Sequence, residues 1–463
     1  MPEIYLDDTI VAISTPPGES GIGIVRISGP NAISIAVRMF HPSNGVKLSE
    51  AKSHTIHFGY VGDEKGSMID QVLVSIFRKP KSYTAEDVIE ISAHGGLRVL
   101  QKILDLTLSL GARHAEPGEF TRRAFLNGRI DLTQAEAVLD LIRAKTDRSL
   151  ELALRQLAGK LSSEVNAIKD QLMLLCAHLE AYLDFPDEHL DVYSDESFKS
   201  RFQIVAERLK RLISSFSKGE ILREGARVII VGRPNVGKSS LLNTLLERDR
   251  ALVSEIPGTT RDILEESIEL NGLLIQLVDT AGLWTSTDPL DQAAMERTKR
   301  YFKEADLFLW VIDARDGLLA EDQAIFKQLE GRKLIPIVNK IDIAGRERSF
   351  EKLKELVNEQ AISFLSAKTR EGIDGLEKRI ANSILEGELN AESLLIVRLR
   401  HKQALQGSFE ALEKSFQALL QKESLEFVVL DLKQSLNSLK ELVGEIYSED
   451  LLDVIFREFC IGK

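Results

Sequence analysis

Cysteine is nearly absent: only Cys176 and Cys460 occur in 463 residues, far apart in the chain. Two isolated thiols supply neither a disulfide framework nor a zinc-knuckle spacing, and they fit a reducing compartment such as the cytoplasm. Positive charge is in deficit. Against 71 Asp and Glu stand 59 Lys and Arg, a formal net charge of −12. That balance excludes a histone-like binder, although an acidic protein can still carry a local basic patch. No run of about 18 consecutive apolar residues occurs, so no membrane span is expected. The opening MPEIYLDDTI is acidic and lacks the apolar core of a secretory signal. The ending Cys460-Ile461-Gly462-Lys463 has the outline of a prenylation box, but its last residue is wrong and no polybasic run precedes it. Repeats and low-complexity tracts are missing too. What is present is 44% hydrophobic and 28% charged residues, the make-up of an ordinary soluble globular protein.

Three textures divide the chain. Residues 1–120 mix β-like runs at 9–13, 22–27, 72–77 and 88–92 with Gly/Pro turns and helix patterns, which predicts an α+β domain. From 121 to 216 apolar residues recur at helical spacing: Leu132, Ala135, Val138, Leu139 and Ile142, then Leu172, Leu175, Leu179 and Leu183. Phe185-Pro186-Asp187 reads as a break between two long helices. Residues 217–383 alternate apolar runs (228–231, 273–278, 307–312, 334–338, 362–365) with helical patterns, the texture of a doubly wound sheet. Asn271-Gly272 between two strand-like runs predicts a hairpin, hence one antiparallel edge pair. Helical texture returns over 384–463. The α/β unit therefore reads as an insertion, with 121–216 and 384–463 packing into one helical domain.

Gly232-Arg233-Pro234-Asn235-Val236-Gly237-Lys238-Ser239 matches the phosphate-binding P-loop in full, between the run 228–231 and a helix pattern carrying Leu241, Leu242 and Leu245. Backbone N–H groups in such a loop, and the helix N-terminus behind it, hold phosphates. Lys238 is placed to reach the β- and γ-phosphates and Ser239 to ligate Mg²⁺. Asp279-Thr280-Ala281-Gly282 ends the strand-like run 273–278, with Asp279 for the Mg²⁺ shell and the Gly282 N–H for the γ-phosphate. Asn339-Lys340-Ile341-Asp342 ends a later one. The Asp342 carboxylate can accept two hydrogen bonds from guanine N1–H and N2–H₂. Adenine offers no such pair, and leaving a buried carboxylate unpaired costs roughly ten-thousandfold in discrimination. Ser366-Ala367-Lys368 ends the last run and would support the base. These elements in this order specify GTP rather than ATP. The candidate contacts include Ser240 and the loop Ser254, Glu255, Ile256, Pro257, Gly258, Thr259 and Thr260. The expected fold is multidomain: an N-terminal α+β domain, a discontinuous helical domain, and an inserted Ras-like α/β G domain.

Hydrolysis is less plainly written. Leu283 follows Asp279-Thr280-Ala281-Gly282, where a Ras-like enzyme places a glutamine to orient the attacking water. Leucine cannot do this, so either hydrolysis is slow or another group positions the water. Asp288, Asp291 and Glu296 are the carboxylates nearby. Arg261 is one cation for the phosphates, or equally a surface residue. A monovalent cation held by the Asn235 amide oxygen and by carbonyls of 254–259 is the other candidate.

The runs Gly232 to Asn243, Pro257-Gly258-Thr259-Thr260-Arg261-Asp262 and Phe459-Cys460-Ile461-Gly462-Lys463 resemble the MnmE/TrmE family of tRNA-modification GTPases. So do Thr15-Pro16-Pro17-Gly18, Gly23-Ile24-Val25-Arg26-Ile27-Ser28-Gly29, His94-Gly95-Gly96 and Pro117-Gly118-Glu119-Phe120-Thr121-Arg122-Arg123. The resemblance spans essentially the whole chain. It implies a homodimer formed through N-terminal tetrahydrofolate-binding domains, acting in the cytoplasm with the flavoprotein MnmG (GidA). Together they install an aminomethyl or carboxymethylaminomethyl group at C5 of the wobble uridine of certain tRNAs. The one-carbon donor is 5-formyl- or 5,10-methylene-tetrahydrofolate, and glycine or ammonium supplies the nitrogen. K⁺ at the contact of two G domains stimulates hydrolysis. Carried over by position, the resemblance implies K⁺ ligands at Asn235, Ser254, Ile256 and Thr259, Mg²⁺ ligands at Ser239 and Thr260, and folate contacts at Arg26, Glu90, Arg129 and Lys463. Cations suit the folate glutamate carboxylate, and a carboxylate suits the donor edge of a pterin.

The chain also departs from the family. Arg129 stands where Lys is frequent. Trp284 stands where Arg is common. Asp291 stands where a water-orienting Glu is usual, one methylene shorter, and with Lys238 it is the candidate catalytic residue. Cys460 is either a reactive thiol near the folate or a small apolar residue packing beside Phe459; no local feature lowers its pKa, which favours packing. The rival function is a regulatory or ribosome-assembly GTPase that binds RNA without transfer chemistry. It would be expected to carry a separate basic RNA-binding module, and no Gly-x-x-Gly in a basic helix context occurs. A folate-binding scaffold with a vestigial GTPase is a third reading, which the complete set of GTP elements opposes.

Overall fold

The computed structural model describes residues 7–43, 45–62, 67–184, 195–249, 265–279, 301–344, 351–358, 361–385 and 395–463. They fall into two compact units: Met1–Leu139 with Gln156–Phe198 and Glu410–Lys463, and Asp140–Arg155 with Lys199–Phe409.

In the first unit a sheet is built from β1 (Ile10–Ile13), β2 (Ser20–Ser28), β3 (Phe40–Pro42), β4 (Thr55–Gly62), β5 (Met68–Phe77), β6 (Val88–Gly95) and β7 (Arg113–His114). Its spatial order is β3-β4-β5-β6-β2-β1-β7, antiparallel except where β1 meets β7. Period-two alternation sends Val72, Val74 and Ile76 of β5 and Ile89, Ile91 and Ala93 of β6 to one face. There they pack with α1 (Ala32–Met39) and α2 (Leu97–Ser109). On the opposite face Phe58, Leu73, Ser92 and Ile24 stand in register across β4, β5, β6 and β2. This face is apolar yet open, with Ile56 65%, Phe58 52% and Leu73 45% exposed. Its far end is covered: Phe120 of α3 (Glu119–Leu126) packs on Ile10 and Ala12 of β1.

Helices follow: α4 (Leu132–Arg143), α5 (Asp147–Leu157) and α6 (Lys160–Asp184). In the first unit α6 packs against α15 (Leu425–Val443), with Lys433 Nζ 2.6 Å from Glu180. The last helix, α16 (Glu449–Arg457), buries Leu452, Ile455 and Phe456 against Phe125, Leu132 and Leu139. Ser448 caps it by accepting the Leu451 N–H. Arg123 is fully buried and is neutralised by Asp8, Glu86 and Glu119, as a buried guanidinium must be.

The second unit holds α7 (Glu196–Ser214), α8 (Phe216–Glu224) and a sheet of β8 (Ala226–Val231), β9 (Glu265–Leu270), β10 (Leu273–Asp279), β11 (Leu307–Asp313), β12 (Leu334–Asn339) and β13 (Ser363–Phe364). Helix α7 begins in the first unit, at Glu196. The strand order is β13-β12-β11-β8-β10-β9. All pairs are parallel except the β9–β10 hairpin, which turns at Asn271-Gly272 as the sequence predicts. Strands covered on both faces need unbroken apolar runs, and 228–231 and 307–312 are buried throughout. The covering helices are α9 (Lys238–Asp249), α10 (Ala320–Gln328), α11 (Ile341–Ala344), α12 (Glu351–Leu356) and α13 (Ile373–Leu385), after which α14 (Leu399–Leu420) leads away. Among the described residues no helix is long and apolar enough to cross a membrane.

Candidate functional site

The P-loop joins the carboxyl end of β8 to α9, where parallel α/β sheets bind ligands. Its turn needs left-handed backbone at Asn235 (φ 67°) and Gly237 (φ 99°). At Gly237 a side chain is also barred by space, since a Cβ would lie 2.4 Å from Asn339 Nδ2. Lys238 folds back over the loop and donates to the Gly232 and Arg233 carbonyls at 2.9 Å each. The loop lines a cavity of about 810 Å³ shared with Lys340 and with Glu321, Ile325 and Gln328 of α10.

Asn339 ties three segments together. Its Nδ2 donates to the Val236 carbonyl at 3.0 Å, and its Oδ1 accepts the N–H groups of Lys340 at 2.8 Å and Ala367 at 3.0 Å. Lys340 donates to the Asn235 carbonyl at 2.5 Å and to Asp313 at 2.7 Å. Asp342 accepts from Ser366 Oγ at 2.6 Å, and that hydroxyl accepts the Thr369 N–H at 3.1 Å. Thus the P-loop, Asn339-Lys340-Ile341-Asp342 and Ser366-Ala367-Lys368 converge on one end of the sheet. Residue Asp279 ends β10, and its side chain lies outside the described residues. So do Ser254 to Thr260, Thr280, Ala281, Gly282 and Asp291, and with them Arg261, Leu283, Asp288 and Glu296.

Two residues at this end were not singled out from sequence. Asp313 is almost fully buried and bonded by Arg315 and Lys340. Burial pushes its carboxyl up, but the bonds from Arg315 and Lys340 outweigh it and hold the pKa well below the usual carboxylate range. Asp322 in the first turn of α10 takes Arg233 of the P-loop at 2.9 and 3.0 Å. Asp313 could have been sought as the residue that ends a parallel strand. Asp322 left no signal before its tertiary partner was known.

In the first unit the tail residues Gly462 and Lys463 dock on β1, β2 and α3. Gly462 sits against β1, where a Cβ would lie 2.6 Å from the Ile13 carbonyl, with φ at 95°. Its carbonyl accepts from Ser14 Oγ and Arg26 Nη1, each at 3.2 Å, and the Lys463 carbonyl accepts the Phe120 N–H at 3.2 Å. Arg26 and Glu90 face each other across β2 and β6 and pair at 2.9 Å. Arg26 also lies 5.7 Å from the Tyr83 ring centroid and 5.6 Å from that of Phe120. Arg129 lies 5.6 Å from Tyr83 and donates to the Ser82 carbonyl. Burial, with the nearby Arg26 charge, lowers the Lys463 pKa despite Glu90. Burial raises that of Tyr83, against the Thr121 bond and the charges of Arg26 and Arg129. Arg26, Glu90 and Arg129 are thereby gathered with Lys463, more than 300 residues further along the chain, around Tyr83 and the tail. Cys460 does not pack as expected: Phe459 enters the core and Cys460 is exposed. The tail's turn, bonded from Gly118 and Lys463 N–H to the Cys460 carbonyl, turns its side chain outward.

The chain is similar to known proteins along nearly its whole length. A family profile described as the MnmE helical domain matches residues 132–460, and one described as the GTP-binding protein TrmE N-terminus matches 9–129. The chain is 44% identical over 462 residues to the tRNA modification GTPase MnmE of Alkaliphilus metalliredigens, covering 99% of this chain and 100% of that one. It is 42% identical over 460 residues to that of Carboxydothermus hydrogenoformans, covering 99% and 100%. To that of Geobacillus thermodenitrificans it is 43% identical over 459 residues, covering 98% and 99%.

Proposed function

The chain belongs to the MnmE (TrmE) family of tRNA modification GTPases, and on that premise we propose that it hydrolyses GTP in the service of a folate-dependent modification of tRNA. Lys238 would exchange its two loop carbonyls for β- and γ-phosphate oxygens, and Asp342, held by Ser366, would accept the guanine N–H groups. Ser239 and Thr260 would hold Mg²⁺; Asn235, Ser254, Ile256 and Thr259 would hold K⁺. These cations would supply positive charge at the phosphates, in the place that an arginine serves in other GTPases. Asp291 is proposed to orient the attacking water.

The observation that supports the folate half is the seating of Gly462 and Lys463 against the Arg26–Glu90 pair. A pterin offers donors that match the Glu90 carboxylate, and both Arg26 bonds to Glu90 fall on Oε1. Lys463 and Arg129 offer cations to the glutamate carboxylates. Bound there, 5-formyl- or 5,10-methylene-tetrahydrofolate would supply one carbon. The flavoprotein MnmG would be the partner in building the aminomethyl-type group at C5 of the wobble uridine. The open apolar sheet face, continuous across Phe58, Leu73 and Ile24 with the strand that carries Arg26, is proposed as the homodimer seam.

The test is reconstitution with the flavoprotein, folate, GTP and unmodified tRNA, reading modified uridine by mass spectrometry. Modification that needs both GTP and folate, and that Arg26→Ala abolishes, is expected. GTP hydrolysis without any modification would favour a regulatory GTPase that binds RNA and transfers nothing.

A further inference from the structure

The nucleotide-binding sheet is joined to the helices of its unit by two stretches of chain. Entry runs along α8 through Gly225 into β8, and exit runs through residues 395–398 into α14. The two lie side by side. A Cβ on Gly219 of α8 would stand 2.1 Å from the Ile396 carbonyl, so only glycine permits this approach. The Ile396 N–H donates to Ser215 Oγ at 3.1 Å, and Lys402 Nζ lies 4.8 Å from the Phe216 ring centroid.

One carboxylate spans both stretches. Asp140, in the last turn of α4 and 8% exposed, accepts from Arg223 Nε at 2.9 Å and from Arg398 Nη2 at 2.6 Å on Oδ1. Its Oδ2 accepts Arg398 Nε at 3.3 Å. Arg223 is the penultimate residue of the entry helix, and Arg398 is the last before the exit helix. Arg223 also reaches the Val397 carbonyl at 3.5 Å. No GTP contact is involved, since β8 separates this neck from the P-loop by about 20 Å at roughly 3.3 Å per residue.

The neck is nevertheless continuous with the β9–β10 hairpin. Leu152 of α5, Leu222 of α8, and Leu395 and Val397 of the exit share one buried cluster with Ile268, Leu270 and Leu273 of the β9–β10 hairpin. A Cβ at Gly272 in its turn would meet Arg148 of α5 at 3.0 Å. In sequence β9 follows 250–264 and β10 precedes 280–300, the segments that carry Thr260 and Asp291. Through these contacts any shift of the hairpin would be felt at α5 and the neck. The Asp140 carboxylate accepts from both guanidiniums at once while Arg223 also pairs with Glu224 at 3.0 Å, so one arrangement of the neck keeps all of these bonds together.

We propose that Asp140 is a positioning residue of the GTPase: it latches both connections of the nucleotide-binding sheet to the last turn of α4, so that hairpin movement is passed to the helices instead of being absorbed by a loose linker. The proposal rests on the GTPase reading above.

The test is hydrogen exchange read by mass spectrometry on the full-length GDP-loaded protein, comparing wild type with Asp140→Ala and Asp140→Asn. GDP affinity and modified uridine per GTP hydrolysed are measured alongside. A latch predicts that 215–225 and 395–400 lose protection together, each exchanging about tenfold faster or more, while 232–244 is unchanged and GDP affinity stays within about twofold. Modification per GTP should fall roughly 5- to 150-fold, the range typical of coupling between sites. Loss in only one segment, or in neither, overturns the latch. So does an even loss across β8, β11 and β12, which would make Asp140 a stability residue of the whole sheet. Asp140→Asn keeps the volume and one acceptor oxygen, so the comparison survives an Ala variant that fails to fold. Unchanged modification per GTP with a loosened neck also overturns the proposal. A wild type that hydrolyses no GTP would remove the GTPase reading instead, with the exchange pattern still deciding the latch.

Discussion

Replacing Asn339 with alanine should disable nucleotide binding more than it weakens the fold. Asn339 is 1% exposed and makes three bonds of 2.8 to 3.0 Å, to Val236, Lys340 and Ala367. Alanine deletes all three and leaves a carbonyl and two N–H groups without their partner. Lys340 lies beside the open cleft, where water can replace the lost oxygen. Val236 and Ala367 are buried, and each group left unpaired there costs about 1–3 kcal/mol. The sum is roughly 2–6 kcal/mol, concentrated where P-loop, base-recognition strand and last loop must hold one register. At ~1.4 kcal/mol per tenfold, GDP and GTP affinities should both fall about thirtyfold or more. The sheet keeps its apolar core, so the purified variant should retain a cooperative thermal transition. The assay is titration with a fluorescent GDP analogue alongside calorimetric melting. Affinity within about threefold of wild type would refute the idea that this one amide holds the site together.

Gly462→Ala forces a left-handed alanine, worth about 1–2 kcal/mol of strain, and places a Cβ 2.6 Å from the Ile13 carbonyl. It should lower folate affinity about tenfold or more by calorimetry, with GDP affinity unchanged. GTP turnover should be faster in KCl than in NaCl at equal ionic strength, as expected if Asn235 and the 254–260 loop hold K⁺; equal rates would remove the cation. The Asp313 pKa lies below its ordinary 3.8 in the folded protein, so the folded state binds fewer protons than the unfolded. Its contribution is complete above about pH 4 and is lost as pH falls through the folded value. The stability gap between wild type and Asp313→Asn, from denaturant titrations, should therefore be flat from pH 7 to about 4 and narrow below; a gap that widens in acid would contradict this.

The second unit's sheet was legible because its strands are buried on both faces and so read as continuous apolar runs, each ending at a polar motif. Asn271-Gly272 announced its hairpin through turn chemistry alone. The first unit was harder. Strand β4, Thr-Ile-His-Phe-Gly-Tyr-Val-Gly, puts Ile56 and Phe58 on the open face, so its alternation does not sort apolar from polar and it was not anticipated. Strand β7 has two residues and rests on its pairing with β1. Arg26, Glu90, Arg129 and Lys463 were named through family resemblance. Spacing could not have gathered them, because the tail's docking is a contact between positions 448 and 436 residues apart, Ser14 and Arg26 with Gly462. Tyr83 and Asp140 escaped notice for the same reason: a tyrosine between two guanidiniums, or an aspartate between two chain crossings, has no local signature. The packing expected of Cys460 failed because burial next to Phe459 was inferred from adjacency, and the terminal turn points the two side chains apart.

Calorimetric titration of the full-length protein with 5-formyltetrahydrofolate, repeated on Arg26→Ala and on a chain lacking Lys463, tests the central claim most directly. Saturable binding to the wild type that both changes abolish, with GDP affinity intact in all three, is the predicted result. Absence of binding to the wild type, or equal binding in all three, would contradict a folate site built around the docked tail.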